Sequence, residues 1–212
     1  MTFEYPPQTK ISFENQVEFD VPEDFKNDPF NYVENFGVNI KSGEKKFDDN
    51  NRLREDPTAV KILPEWNFDG ESIIPVAKMV NLEKGKVGES GDPLYEYNII
   101  KHVRSFGLPA PKPILSVERD GNYIFLTEKV AGTNWYERDS LHLDKRGWTS
   151  DEIQKLMSQA EEKMKDLSKQ FENVGIIRSW KIKDMVFDID LESKTIKSVI
   201  PTDFERTKII SK

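Results

Sequence analysis

The chain has 212 residues, 36% of them hydrophobic and 33% charged, with a formal net charge of −7. That length suffices for one good-sized domain or two small packed lobes, and the acidic balance argues against nucleic-acid backbones and anionic lipid as partners, since both call for a basic face. The lack of cysteine excludes disulfides and thiolate metal sites, and two histidines, His102 and His142, are too few for a histidine-rich metal site. No apolar run approaches membrane-spanning length and the N-terminus is not a secretion signal, so a soluble cytoplasmic protein is expected.

Residues 1–57 read as a polar N-terminal extension. Ile11-Ser12-Phe13 and Val17-Glu18-Phe19 alternate like short strands. Pro22-Glu23-Asp24-Phe25 begins a short helix or turn, and residues 43–54 (GEKKFDDNNRLR) form a charged loop. Residues 58–63 (TAVKIL) and 73–80 (IIPVAKMV) are strand candidates, with a turn signal at Asn67-Phe68-Asp69-Gly70 between them. A glycine-rich flexible stretch covers 83–91.

Asp92-Pro93 opens a helix, because Asp caps the first turn and Pro at the first helical position loses no needed donor. Gly107 supplies a left-handed cap and Pro109 stops continuation. A hairpin follows, with strands 113–118 and 122–128 around the turn Arg119-Asp120-Gly121. A connector with a glycine runs over 129–135. Thr149 and Glu152 make a capping box for a long helix whose stripe is Ile153, Leu156, Met157, Ala160, Met164, Leu167 and Phe171. A second hairpin pairs 185–191 with 195–201, and Thr202-Asp203-Phe204-Glu205 follows.

The order is then a strand with Lys78, a helix with Glu96, a hairpin, a connector, a long helix, a hairpin and Asp203. It is carried by Val76-Ala77-Lys78, Tyr95-Glu96-Tyr97-Asn98-Ile99-Ile100, Gly107-Leu108-Pro109-Ala110-Pro111, residues 124–132 (IFLTEKVAG) and Thr202-Asp203-Phe204-Glu205. Over roughly 58–207 the chain resembles the protein-kinase-like superfamily, and within it the aminoglycoside and choline phosphotransferase branch. The resemblance implies an α+β, two-lobed protein-kinase-like fold. A small antiparallel sheet lobe with one helix would occupy 58–130, and a short, truncated helical C-terminal lobe 131–212. Lys78 would hold nucleotide phosphates and Glu96 would fix its direction, with Lys61 as the competing lysine. Glu128 and Val130 would meet adenine through their backbone, and Asp203 would bind Mg²⁺ bridging the phosphates of ATP. A surface lysine, a first-turn glutamate favoured by the helix dipole and an ordinary crossover account for the same residues without a ligand.

The family's catalytic loop reads approximately Gly-Ile-x-His-Gly-Asp, followed by Asn and an apolar strand. Here the stretch is Gly175-Ile176-Ile177-Arg178-Ser179-Trp180, with Asp184 before the strand. Arg178 takes the histidine place, and Trp180 takes that of the catalytic aspartate. Asp184 falls near the asparagine place, as a second metal ligand, a displaced catalytic carboxylate or a turn residue. Residues 36–43 (FGVNIKSG) hold two glycines but no compact phosphate-cradling loop. The chain ends nine residues after Asp203, as a minimal lobe or one that a partner completes.

Three functions follow. The first is a pseudokinase or degenerate phosphotransferase with ATP and Mg²⁺ as implied ligands, acting through a protein partner. The second is an active atypical kinase that transfers the γ-phosphate to a protein or a small alcohol, with Asp184 or Asp188 as proton acceptor. The third is a non-kinase interaction protein.

Overall fold

The computed structural model describes residues 9–13, 21–39, 58–68, 70–81, 92–134 and 141–210. The expected strand over 17–19, the charged loop over 43–54 and the flexible stretch over 83–91 lie outside the described residues. The protein is mixed α and β, with one larger antiparallel sheet, smaller strand pairings and four α-helices among the described residues. No described helix is long and apolar enough to cross a membrane.

Two compact units divide the chain. The first comprises Met1–Tyr95 and Pro113–Lys129, and the second Glu96–Lys112 and Val130–Lys212.

In the first unit, β1 (Lys10–Phe13) precedes the helices α1 (Glu23–Asn27) and α2 (Pro29–Phe36). Then come β2 (Val38–Asn39), β3 (Thr58–Ile62), β4 (Trp66–Phe68), β5 (Glu71–Ile73) and β6 (Pro75–Asn81). The hairpin β7 (Pro113–Arg119) and β8 (Asn122–Glu128) completes it. Six of these strands form a sheet in the order β1-β7-β8-β6-β3-β2, antiparallel at each pairing.

The β7–β8 turn forms as its sequence directs: Asp120 (φ 51°) and Gly121 (φ 73°) both have left-handed backbone, the geometry that matches strand twist in a two-residue hairpin. The stretch 73–80 departs from its expected form. It is two strands broken at Ile74, because Glu71–Ile73 pairs with Trp66–Phe68 in a separate small ribbon.

The helix α2 repeats the capping chemistry of the Asp92-Pro93 signal. Pro29 is the first helical residue, and the Asp28 side chain accepts from Asn31 N at 3.2 Å. That N–H, helped by the Arg119 guanidinium, holds the Asp28 carboxyl below its ordinary value. Arg119 Nη1 lies 2.8 Å from Asp28 Oδ1 and its guanidinium sits over the Phe30 ring at 4.5 Å, so the N-terminus of α2 is fastened to the end of β7. Phe25, Tyr32 and Val33 of the two short helices join Leu63, Trp66, Ala77, Leu115, Ile124 and Leu126 in one apolar core. The alternation of each strand therefore gives the sheet one face covered by α1 and α2.

The second unit begins within α3 (Tyr95–Ser105). Leu94 N meets the Asp92 side chain at 2.9 Å ahead of it, and Gly107 ends it with φ 71°. Further on lie β9 (Thr133–Asn134), the long α4 (Ser150–Asn173) and β10 (Ile176–Ile177). A 3₁₀ turn at Ile182–Asp184 leads into β11 (Met185–Asp190), β12 (Thr195–Pro201) and β13 (Lys208–Ile209).

The capping box of α4 is complete: Glu152 N donates to Thr149 Oγ1 and Thr149 N to the Glu152 carboxylate. The stripe on α4 buries Leu156, Ala160, Leu167 and Phe171, while Ile153, Met157 and Met164 are half-buried. The helix packs on β12, and its Gln159 side chain accepts from Ile196 N at 3.0 Å. The small sheet runs β12-β11-β9, and β10 pairs with β13.

Candidate functional site

Lys61 and Lys78, the two lysines that the resemblance offers for phosphate, are separated by the pleat. Lys61 of β3 stands opposite Ala77, which stands opposite Leu126, which stands opposite Leu115. Those partners belong to the core under α1 and α2, so Lys61 projects to that covered face. Its side chain is 8% exposed, and its Nζ lies 2.8 Å from Glu34 Oε2 and 3.3 Å from Glu34 O in the last turn of α2. A cation there also answers the carbonyls at the helix C-terminus. Lys61 is thus committed to a structural partner. Lys78, one residue on from Ala77, projects from the opposite face in a row with Val60, Phe125 and Ser116.

Glu128 ends β8 and is half-buried, and Lys129 N donates to Ile74 O at 2.7 Å. Val130 is the first residue of the second unit after that hairpin. These are the residues expected at an adenine-binding crossover, and Glu128 and Val130 fall in different units. Of the stretch 36–43, residues 40–43 lie outside the described residues.

The second unit gathers the remaining expected residues. Glu96 is buried in the first turn of α3, and its Oε1 accepts from Phe204 N at 2.9 Å across 108 residues of chain. Glu96 therefore fixes the backbone beside Asp203. Phe204 is fully buried and packs edge-on against Trp180 (5.3 Å between ring centroids), and Trp180 packs likewise against Phe171 at the end of α4 (5.4 Å). The Trp180 indole is thus held in an aromatic cluster. The Arg178 guanidinium lies over its ring at 4.8 Å.

Arg178 also joins the two carboxylates expected to hold metal. Its Nη2 lies 3.1 Å from Asp184 Oδ2 and 3.4 Å from Asp203 Oδ2, and its Nη1 lies 3.4 Å from Asp203 Oδ1. The Arg178 and Asp184 side chains are 5% and 8% exposed, whereas that of Asp203 is 42% exposed. The 3₁₀ turn positions Asp184: its N–H donates to Lys181 O, and its carbonyl accepts from Thr202 N and Thr202 Oγ1. Thr202 in turn leads directly into Asp203, so one backbone contact sets the spacing of both acids.

Magnesium, as the resemblance implies it, does not fit this arrangement. A hard cation needs several oxygen ligands at about 2.0–2.1 Å, and here a guanidinium donates to oxygens of both acids. The Trp180 indole N–H only donates and takes up no proton, so Trp180 cannot act as a proton acceptor.

The sequence placed Arg178 and Trp180 in the loop without showing what they touch. The alternation of basic and aromatic residues beside Asp184 was the signal available. The comparisons add no family: no protein-family model matches the chain, and no curated protein matches it.

Proposed function

We propose that this protein is a kinase-like binding protein that transfers no phosphate, a pseudokinase or degenerate phosphotransferase of the aminoglycoside and choline branch that acts through a protein partner. The order of elements supports the kinase-like part: a sheet strand with Lys78, a helix with Glu96, a hairpin, a long helix and an aspartate after a second hairpin. One observation carries the non-catalytic part. The place of the proton acceptor is filled by Trp180, packed between Phe171 and Phe204. The neighbouring acids do not substitute for it. Asp184 is buried under Arg178, and Asp188 sits exposed in the middle of β11.

ATP is the nucleotide that the resemblance implies, and titration of the purified chain with ATP, with and without Mg²⁺, measures that part by thermal shift. Catalysis is tested by incubating the protein with γ-labelled ATP and Mg²⁺ against protein and small-alcohol acceptors. No transfer above the no-enzyme control is expected. Transfer that disappears in Asp184→Asn or Asp203→Asn would overturn the proposal.

A further inference from the structure

We infer that Arg178 stands in for a divalent cation: its guanidinium is a resident charge that ties Asp184 to Asp203, so this acidic pair takes up no Mg²⁺ or Mn²⁺, and removing the guanidinium uncovers a latent metal site. The inference deepens the kinase-like reading, which is what makes a metal the expected occupant of these two acids.

Three observations carry it. The first is geometry. Nη1 and Nη2 face the two oxygens of Asp203 as a fork, each at 3.4 Å, while Nη2 also reaches Asp184 Oδ2 at 3.1 Å. Nη1 donates to Asp203 and Nη2 to Asp184, and two donations to separate acids direct a guanidinium to one place better than a single contact does. An oxygen of each acid is thus already turned toward one shared positive centre, as two metal ligands are. Bringing both to a metal would need each to close by about 1 Å, given usual metal–oxygen distances.

The second observation is what the guanidinium gives up to be there. Arg178 Nε is buried and makes no hydrogen bond. Buried polar atoms are rarely left so, and the cost is tolerated where a stronger interaction fixes the group. Here the two terminal nitrogens on two carboxylates, with the Trp180 ring beneath, fix it. To admit a metal, the side chain would have to abandon all of these contacts and a site where it is 5% exposed.

The third is charge. The guanidinium between the two carboxylates offsets one of their two negative charges, and so weakens the pull of the pair on a divalent ion. Without Arg178, the buried Asp184 carboxylate retains the Lys181 N–H at 3.4 Å as its hydrogen-bond donor. A cation would then stabilise its charged form, because an unpaired buried charge is costly.

The test uses Mn²⁺ alone, with no nucleotide, followed by electron paramagnetic resonance of the free ion on the full chain. In the wild type, no Mn²⁺ binding that Asp203→Asn removes is expected. Arg178→Leu, which keeps an apolar side chain beside Trp180, is expected to bind Mn²⁺ at least tenfold more tightly than the wild type. Adding Asp203→Asn to Arg178→Leu should abolish that gain. Wild-type binding that Asp203→Asn removes would overturn the inference, as would a folded Arg178→Leu protein with no gain. Should Arg178→Leu fail to fold, Arg178→Gln, which also removes the charge, is titrated in its place with the same expected and overturning results. Phosphate transfer, on which the pseudokinase reading fails, is not measured in this titration, so the two failures are separable.

Discussion

Replacing Arg178 with leucine should expose how much stability the resident cation supplies. The substitution removes the charge facing Asp184 and Asp203 and leaves a side chain that still covers part of the Trp180 ring. The two acids contribute unequally. Asp203 is 42% exposed, so solvent screens its share to under about 1 kcal/mol. Asp184 is 8% exposed, and stripping one partner from a buried pair costs about 3–5 kcal/mol. The lower end applies, because Asp184 keeps the Lys181 N–H. A loss of about 3 kcal/mol is therefore expected at neutral pH. Urea unfolding followed by circular dichroism measures it. The Asp184→Asn variant and the double variant complete a cycle. The double variant should be more stable than Arg178→Leu alone, because the uncompensated charge is gone. A loss below about 1 kcal/mol for Arg178→Leu, or a double variant no better than it, would refute the reasoning.

Other perturbations discriminate between causes. Glu34→Ala should destabilise more than Lys61→Met, since the first strands a buried ammonium and the second leaves only a solvated carboxylate; thermal unfolding ranks them, and the reverse order would contradict the structural role given to Lys61. Gly132→Ala should cost more than Gly121→Ala. A Cβ at Gly132 (φ 129°) would lie 2.6 Å from Phe187 O, whereas one at Gly121 meets nothing within 4 Å and suffers only from its backbone angle, and chemical unfolding of both variants tests the difference. Asp190 accepts from Glu192 N and Ser193 N in the β11–β12 turn and pairs with Lys197; chiefly the Ser193 N–H lowers its carboxyl from 3.8 to about 2. A depressed folded value means stability that is fully present above pH 3.8 and lost as pH falls through about 2, so the gap between wild type and Asp190→Asn should be open at pH 7 and closed near pH 2, as read by circular dichroism.

Short-range chemistry was the legible part of this chain. The Asp120-Gly121 turn, the Thr149–Glu152 box and the Gly107 cap are each decided by residues within four positions of one another, and each formed as the sequence directs. The same logic applied at Asp28-Pro29 marks the start of α2, a helix not foreseen in a region read as an extension. Its consequence was harder to see. Only once α2 covers one sheet face does Lys61 become committed, and the alternation of β3 and β6 then separates it from Lys78. The break at Ile74 likewise depends on the ribbon partner Trp66–Phe68, since the apolar run itself is continuous. The site was legible as a set of residues but not as a set of contacts. Glu96 reaches Phe204 over 108 residues, and Arg178 reaches Asp203 over 25. Nothing in local pattern says that Arg178 would close on both acids.

Crystals grown with MnCl₂ and ATP offer the most direct measurement of the central claim, through the anomalous difference density of manganese. No peak is expected within coordination distance of Asp184 and Asp203, and density for the Arg178 guanidinium should lie between them. A manganese peak bound by both carboxylates, with Arg178 turned away, would contradict it.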